Sequence, residues 1–231
     1  QEDLALAVRT VMGMSNQDLP DAPALDYLLN PLHNKILAET NNLTTMTKLG
    51  SAMAMISYSF AKKLSHTADS QNQRHRMVME TSPIFQLTDK PDVLLPSLIQ
   101  DTPLAKEYFL ESCERLWGYI AQLKNSEASE EAVQYLAPNA TAIRIIENGN
   151  LRDRWHKYSL RLCFNAQEEI RRNAVEEVQQ INQVHPLIGK YLLPPCSRRG
   201  LSGEKPYCPE GSRYCGVPVW KKGMNEYKRT I

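Results

Sequence analysis

The stretch that decides the fold is GNLRDRWHKYSLRLCFNAQEEIR, residues 149–171. Asn150 is suited to cap a helix, because its side chain can accept a hydrogen bond from an amide of the first helical turn. Apolar residues then recur at helical spacing and predict a helical region over 151–184 with one buried side. These apolar residues are Leu160, Phe164, Ile170, Ala174, Val178 and Ile181.

Three arginines recur within this helical region. Arg154, Arg161 and Arg172 are spaced by seven and eleven residues, which predicts that they lie near one helical face. A row of arginines suits an anionic ligand, because each guanidinium presents a planar fork of donors. The alternative is a surface helix with Glu–Arg pairs, in which Glu168, Arg171 and their neighbours face water.

A second basic cluster lies upstream, in QNQRHR at residues 71–76. Arg74 and Arg76 flank His75 where a polar helix is predicted to end. The guanidinium forks fit phosphate oxygens, and the imidazole adds a donor that can also stack. The alternative for this cluster in isolation is a solvated basic turn.

The overall charge argues against several classes of partner. Lys and Arg number 27 and Asp and Glu number 26, so the formal net charge is +1. Such a chain does not attract nucleic acid or anionic membranes through bulk charge, and any anion must be bound by a local cluster. No apolar run approaches the roughly 20 residues that span a bilayer. We therefore expect a cytoplasmic protein that binds neither membrane nor nucleic acid.

The remaining patterns predict a helix-rich α+β fold, in which a small antiparallel sheet packs with long helices. Alternating apolar residues predict a strand at 53–60, and Pro103 at the first helical position predicts a helix over 103–124. Leu104, Tyr108, Leu116, Ile120 and Leu123 are predicted to share its buried face. Further predictions are a polar helix over 62–73, a strand over 143–146 and a turn at 148–150.

Taken together, the two basic motifs resemble the flavin-dependent thymidylate synthase family, also called thymidylate synthase complementing protein. The downstream motif matches at Asn150, His156, Arg161, Ala166, Gln167, Glu169 and Ile170. The upstream motif matches at Gln71, Arg74, His75 and Arg76. Both motifs occur in the family's order, and the resemblance covers residues 51–191. Two motifs in register are more specific than either motif alone.

The resemblance implies a homo-oligomer, either a tetramer or a tandem pseudo-tetramer, that binds FAD. It implies that NADPH reduces the flavin, that methylene-tetrahydrofolate donates one carbon, and that this flavin-dependent methyltransferase converts dUMP to dTMP in nucleotide biosynthesis. The implied flavin-binding residues are Ser51, Arg74, His75, Arg76, Asn150, Arg152 and His156. The implied dUMP-binding residues are Gln71, Ser82 and Arg161, of which Arg161 is also the catalytic residue that polarises the uracil.

The nucleotide half of this implied site departs from the family pattern. Ile84, Gln86 and Gln134 stand where the family has a serine and two arginines, and Ser82 is the nearest hydroxyl that a shifted loop could offer. Each lost charge-assisted contact costs about 1.5–3 kcal/mol, so two losses weaken dUMP binding by roughly two to four decades. The alternative function is an inactive structural module that keeps the fold and flavin binding. Since the sequence begins at Gln1, it fits one half of a longer tandem chain.

The C-terminal region has a different composition. We predict a family domain over 1–190 and a Cys-, Pro- and Gly-rich extension over 191–231. Cys196, Cys208, Cys215 and His185 are a candidate ligand set for zinc or an iron–sulfur cluster, although their spacing matches no standard motif. The alternatives are free thiols, or aromatic residues that pack at a subunit interface. Cys113 and Cys163 lie in helical patterns and are predicted to be buried packing residues.

Overall fold

A computed structural model describes residues 1–39, 47–223 and 226. Three strands are present: β1 (Ser57–Ser65), β2 (Met79–Thr81) and β3 (Ala142–Asn150). The α-helices are α1 (Glu2–Met12), α2 (Asp21–Leu29), α3 (His66–Asn72), α4 (Ser97–Gln100), α5 (Pro103–Lys124), α6 (Glu130–Gln134), α7 (Leu151–Arg161), α8 (Glu168–Val184), α9 (Pro186–Gly189) and α10 (Pro195–Ser202). Short 3₁₀ turns occupy Lys35–Ala38, Gly50–Met55, Gly211–Arg213 and Val219–Lys221.

These elements form two compact units. The terminal unit comprises residues 1–60, 77–79 and 148–231, and the central unit comprises residues 61–76 and 80–147. The predicted boundary at residue 190 stays a prediction. In the part of the chain that the structure describes, no helix is long and apolar enough to cross a membrane. The cytoplasmic location also stays a prediction.

The terminal unit is built around a helical core. Leu4 of α1, Leu28 of α2 and Leu151 of α7 are fully buried in it, together with Ile181 of α8. Tyr158 is also buried in this cluster. Burial of each such side chain contributes about 1.5–3 kcal/mol, so α7 is held mainly by packing against its neighbours.

In the central unit, α5 spans Pro103–Lys124, as the sequence predicts. Its buried residues are Cys113, Trp117 and Ile120. The predicted face is wrong at its N-terminal end, because Leu104 is 80% exposed and Tyr108 is 68% exposed. The helix meets its hydrophobic neighbours only from its middle onward, where Trp117 also donates from Nε1 to the carbonyl of Thr88 at 2.8 Å.

The antiparallel sheet has the strand order β1–β3–β2, which confirms the predicted α+β class. β1 begins at Ser57 and continues to Ser65, so the strand predicted at 53–60 is shifted and the helix predicted from 62 starts only at His66. The reason is the two-residue period of a strand, which places Phe60, Lys62 and Leu64 on one face. Because Lys62 is polar, that period is hidden in the sequence.

The predicted helical region over 151–184 is two helices, α7 and α8, with a break at residues 162–167. The turn predicted at 148–150 is wrong, because these residues end β3. A Cβ on Gly149 would lie 3.1 Å from the Val78 side chain, so close packing favours glycine there. The capping prediction for Asn150 is confirmed, since its Oδ1 accepts from the Asp153 amide at 3.0 Å.

Two further expectations for this region are wrong. Arg171 does not face water: it is buried, with its guanidinium 4.2 Å from the centre of the Phe164 ring. Leu160 is 42% exposed instead of buried, because the break after α7 changes the helical phase. The tail also contains α10, a regular helix where the sequence shows little periodicity.

Candidate functional site

The functional face of α7 depends on a buried ionic network at its opposite side. Glu177 of α8 is buried and accepts hydrogen bonds from Arg154 at 3.0 Å, from Lys157 at 3.1 Å and from the Tyr158 hydroxyl at 3.0 Å. Arg154 and Lys157 are themselves buried, so neither cation is hydrated. Breaking such a buried pair typically costs about 3–5 kcal/mol. The network therefore holds α7 against α8.

Arg154 also ties α7 to the start of β1. Its Nε and Nη2 donate to the carbonyl oxygen of Tyr58 at 3.2 and 2.7 Å. The guanidinium carbon lies 4.6 Å from the centre of the Phe60 ring, which adds a cation–π contact. Arg154 and Arg161, seven residues apart on α7, do lie near one helical face, but Arg172 belongs to α8, so the predicted common face for all three arginines is wrong. Arg154 is buried and has a structural role.

Three of the implied site residues lie on α7, two of them on the side away from the buried network and the third at the C-terminal end of the helix. Arg152 and His156 are one helical turn apart and half-buried, and Arg161 is half-buried at the end of the helix. Burial lowers the pKa of His156, and the nearby Arg198 and Arg161 cations lower that pKa further. His156 is therefore neutral at physiological pH and can accept a hydrogen bond as well as donate one.

Ser51 also lies in the terminal unit, in the 3₁₀ turn Gly50–Met55, which packs against α7. Its hydroxyl donates to the carbonyl oxygen of Lys48 at 2.6 Å, and its side chain is partly exposed. The terminal unit therefore contains Ser51, Asn150, Arg152, His156 and Arg161 of the implied site.

The central unit contains the upstream basic motif. α3 begins with a cap from the Ser65 hydroxyl and ends at Asn72, where the chain turns into Arg74, His75 and Arg76. His75 is buried, whereas both arginine side chains are exposed. Gln71, on the last turn of α3, is partly buried. Two exposed cations beside one buried imidazole suit an anionic ligand. The predicted convergence of the two motifs on one flavin stays a prediction.

A row of carboxylates lies beneath α3. Lys62 on β1 donates to Glu147 on β3 at 2.6 Å, and Asn72 donates to Glu147 and to Glu80 on β2 at 2.8 Å each. The strand order β1–β3–β2 places these three side chains in sequence across the sheet. Sequence reasoning missed this network, because its members are polar residues at strand positions that show no motif.

Asp69 is a further carboxylate of this group, and Ser82 is hydrogen-bonded to the group through Glu80. The Ser82 hydroxyl donates to Glu80 at 2.6 Å, so this implied dUMP-binding residue is paired with the carboxylate two residues before it. Burial, and then the neighbouring Glu80, raise the pKa of Asp69 to about 6. Gln73 opposes the shift by donating to Asp69 at 2.6 Å.

The three departures from the family pattern have defined places in the central unit. Ile84 is 87% exposed, and Gln134 donates from Nε2 to the carbonyl of Phe85 at 3.2 Å. Gln86 and Gln134 border a cavity of about 410 Å³, together with Lys124. The Lys124 ammonium is held by the Leu87 carbonyl at 3.1 Å. One lysine, one glutamate (Glu130) and two neutral amides thus line this cavity.

The predicted metal ligand set is not supported. His185 lies with its Nδ1 3.1 Å from the Tyr58 hydroxyl, and its ring packs edge-on against the same tyrosine. Within residues 1–39, 47–223 and 226, no three His, Cys, Asp or Glu side chains already stand in an arrangement that could hold a metal ion. The zinc or iron–sulfur site with His185 is therefore withdrawn.

Cys163 differs from its predicted packing role. It lies past the end of α7, is half-buried, and borders a small cavity with the three cysteines of the tail. Burial, and then the neighbouring thiols of Cys163 and Cys208, raise the pKa of Cys196 to about 12. No sequence spacing pointed to this group, because Cys163 precedes Cys196 by 33 residues. Cys113 is buried in α5 as predicted.

Comparisons with known proteins agree with the resemblance. The family described as Thymidylate synthase complementing protein matches residues 2–187. A flavin-dependent thymidylate synthase of Saccharolobus solfataricus is 30% identical over 145 residues, which cover 60% of this chain and 55% of that relative. The enzymes of the same name from Clostridium tetani and Geobacter sulfurreducens are each 28% identical, over 180 and 198 residues.

The extent of these matches differs among the relatives. The Clostridium match covers 70% of both chains, and the Geobacter match covers 81% of this chain and 82% of that relative. The chain spans about half the length of the Saccharolobus relative. Since the family match covers most of the chain and includes both basic motifs, this chain belongs to the thymidylate synthase complementing protein family, that of the flavin-dependent thymidylate synthases.

Proposed function

We propose that this protein binds FAD and carries out the flavin-dependent conversion of dUMP to dTMP, with NADPH as reductant and methylene-tetrahydrofolate as carbon donor. The observation that carries the proposal is the arrangement on α7, a capped helix that carries Arg152 and a neutral His156 one turn apart and Arg161 at its C-terminal end, close enough to His156 to lower the pKa of that imidazole. The proposal includes a homo-oligomer in the cytoplasm, as the family resemblance implies.

The donor set fits FAD. The flavin nucleotide carries a diphosphate, whose oxygens suit the guanidinium of Arg152, and an isoalloxazine edge with acceptors and a donor, which suits a neutral imidazole at His156. Arg74, His75 and Arg76 offer the same chemistry in the central unit. Bound FAD would supply hydride transfer, which no protein side chain can perform.

Arg161 has the chemistry for activating the pyrimidine. Its guanidinium stays protonated at neutral pH, so it can hold a uracil carbonyl oxygen and stabilise negative charge that develops on the ring. The neighbouring His156 is neutral, which avoids repulsion between two cations at this end of α7. Loss of one such preorganised donor typically lowers kcat by about 10²- to 10³-fold.

The nucleotide half supports only weak dUMP binding in this proposal. Gln134 donates to the backbone of Phe85, and Ser82 donates to Glu80, so both side chains have partners within the protein. The neutral amides of Gln86 and Gln134 also lack the charge of the arginines that the family has at these two positions. We therefore expect a dUMP affinity lower by roughly two to four decades than a site with both arginines.

The same observations favour a second candidate function. If the nucleotide half no longer binds dUMP at all, the protein is a structural module that keeps the fold and the flavin. In that case α7 and its flavin-binding residues serve a partner with a complete nucleotide site, such as the other half of a tandem chain. The two candidate functions share FAD binding and differ in the response to dUMP.

The first experiment tests flavin binding. The purified full chain is titrated with FAD and followed by flavin absorbance and fluorescence quenching. We expect saturable binding, and a loss of roughly two- to tenfold in His156→Ala, since a hydrogen bond from a neutral group contributes about 0.5–1.5 kcal/mol. The control is His33→Ala, which removes an exposed imidazole paired with Asp26 at 3.1 Å. Unchanged FAD affinity in His156→Ala, or no binding by the unaltered chain, contradicts both candidate functions.

The second experiment separates the two candidates. The FAD-loaded chain is titrated with dUMP by calorimetry, alongside Gln134→Arg and the double variant Gln86→Arg with Gln134→Arg. Weak binding that strengthens by roughly tenfold or more per added arginine supports the synthase. No heat in any of the three proteins supports the structural module. Micromolar binding by the unaltered chain shows that the two glutamines do not weaken the site.

A further inference from the structure

The four cysteines other than Cys113 border one small cavity in the terminal unit. The cavity has a volume of about 20 Å³, enough for one water molecule, and is lined by Cys163, Cys196, Cys208 and Cys215. These thiols come from three separate segments, the end of α7, the first turn of α10 and the loop after it. Such convergence of nearly all cysteines of a chain is unexpected for packing residues, which scatter through a core.

The segments are held together by contacts other than the thiols. Phe164 and Val219 are buried together, with Cys196 and Cys215 packed against them. The Asn165 side chain donates to the carbonyl oxygen of Arg213 at 2.6 Å, which ties the end of α7 to the tail. The cavity therefore lies inside a packed knob whose shape does not depend on a ligand alone.

A buried cation on the same helix as Cys196 forms no ion pair with a carboxylate among the described residues. Arg198, two residues after Cys196 on α10, is buried. Its guanidinium donates to the Ser159 hydroxyl and stacks on Trp155, with the guanidinium carbon 4.8 Å from the ring centre. An uncompensated buried charge is costly, so a negative group nearby would stabilise the fold.

We propose that Cys163, Cys196, Cys208 and Cys215 form a structural zinc site, with Arg198 as the neighbouring countercharge. Four thiolates on one divalent cation carry a net charge of −2, which supplies the anion that Arg198 lacks. Zinc is the ion proposed because four thiolates complete its tetrahedral coordination. The sulfurs border the cavity without standing in a ligating arrangement, so the proposal requires them to move toward the ion when it binds.

The test uses the full chain, reduced and freed of metal. Titration with Co²⁺ is followed by absorbance, because four thiolates on tetrahedral Co²⁺ give intense ligand-to-metal bands and strong visible bands. We expect about one equivalent of Co²⁺, displaced by about one equivalent of Zn²⁺. Elemental analysis of protein prepared with zinc present should give the same ratio. A spectrum without thiolate bands, or iron with sulfide in place of zinc in anaerobically prepared protein, overturns the proposal.

Matched variants assign the ligands. Cys163→Ser should lower zinc affinity by more than about 100-fold, since even groups behind the ligands are worth 10- to 100-fold. Cys113→Ser, which changes the fifth cysteine, should leave the affinity and the Co²⁺ spectrum unchanged. Equal affinity in Cys163→Ser and the unaltered chain overturns the site. If Cys163→Ser does not fold, the unaltered chain still tests the proposal. A chelator should make four thiols of the zinc-loaded protein reactive toward a thiol reagent. Unchanged thiol reactivity after chelation overturns the proposal.

Discussion

Two buried carboxylates, Glu177 in the terminal unit and Glu147 in the central unit, organise their surroundings in different ways. Glu177 accepts from two buried cations and a tyrosine. Glu147 accepts from one cation, Lys62, and one neutral amide, and it belongs to a row with two further carboxylates. Negative charge is matched or exceeded by positive charge around Glu177, whereas it is in excess around Glu147.

The difference suits the two halves of the proposed site. A charge-balanced network holds α7 in one orientation, which a helix that presents Arg152 and His156 to a cofactor requires. A network with excess negative charge must keep a proton, so its stability depends on pH. It also places carboxylates near Ser82, where the family resemblance expects an anionic nucleotide. This electrostatic environment is a second reason, besides Gln86 and Gln134, to expect weak dUMP binding.

The largest predicted effect follows from removing the charge of Glu177. Glu177→Gln removes the negative charge to which the buried Arg154 and Lys157 donate, so the free energy of unfolding should fall by about 3–5 kcal/mol. Urea unfolding followed by circular dichroism measures this change. Glu176→Gln alters the exposed neighbour and should change stability by less than about 0.5 kcal/mol. Equal, small effects of both variants would show that the network around Glu177 contributes little.

The sequence predicts the hydrophobic part of this architecture better than the polar part. The helix over 103–124 and the cap at Asn150 follow from local signals, a proline at the first turn and a side chain that accepts from the helix amides. These features depend on residues close together in the chain, so a single sequence contains them. The α+β class follows in the same way.

The polar network and the cysteine group could not be predicted, because their members are far apart in sequence. Glu177 meets Arg154 across the break between α7 and α8, and the sequence pattern showed one helical region there. The sequence pattern predicts Cys163 within a helix, yet Cys163 lies beyond the end of α7, beside the cysteines of the tail. Arg171, expected in water, is buried on Phe164 because tertiary packing overrides the expectation for a charged residue.

The second predicted effect concerns Lys62, whose ammonium pairs with Glu147 in the central network. Lys62→Met leaves Glu147 with the Asn72 amide but without its ammonium partner at 2.6 Å. We expect a loss of about 2–3 kcal/mol at pH 8, smaller than for Glu177 because Glu147 can take up a proton. The loss should therefore shrink as the pH falls.

The control for Lys62 is its neighbour on the opposite face of β1. Lys63 pairs with Asp92 at 2.6 Å, but its side chain is 45% exposed, so Lys63→Met should cost about 0–1 kcal/mol. Chemical denaturation of both variants at pH 5 and pH 8 measures the difference. An identical loss at both pH values for Lys62→Met would show that Glu147 stays ionised without its cation. The network around Glu147 would then not respond to pH as proposed.

The smallest predicted effect is a pH dependence at Asp69. Its pKa is raised to about 6 in the folded protein, by burial and then by Glu80, from the ordinary value of 3.8 that the unfolded chain should keep. Between these values the folded state holds a proton that the unfolded state has lost, so stability falls as the pH rises from about 4 to about 6. Asp69→Asn, whose amide resembles the protonated acid, should remove this fall, which we expect to be on the order of 1 kcal/mol because the coupled carboxylates share the shift.

Asp92 in the same unit provides a control of opposite sign. The Lys63 hydrogen bond lowers the pKa of Asp92, so this group contributes stability above its ordinary pKa and loses that contribution as the pH falls. Relative to the unaltered chain, Asp69→Asn should therefore gain stability as the pH rises toward 6, whereas Asp92→Asn should lose it over the acid range. Urea midpoints measured from pH 3.5 to pH 7 compare the two. Parallel curves for the unaltered chain and Asp69→Asn would mean that the central network holds no extra proton, and that its carboxylates are as well balanced by cations as Glu177 is.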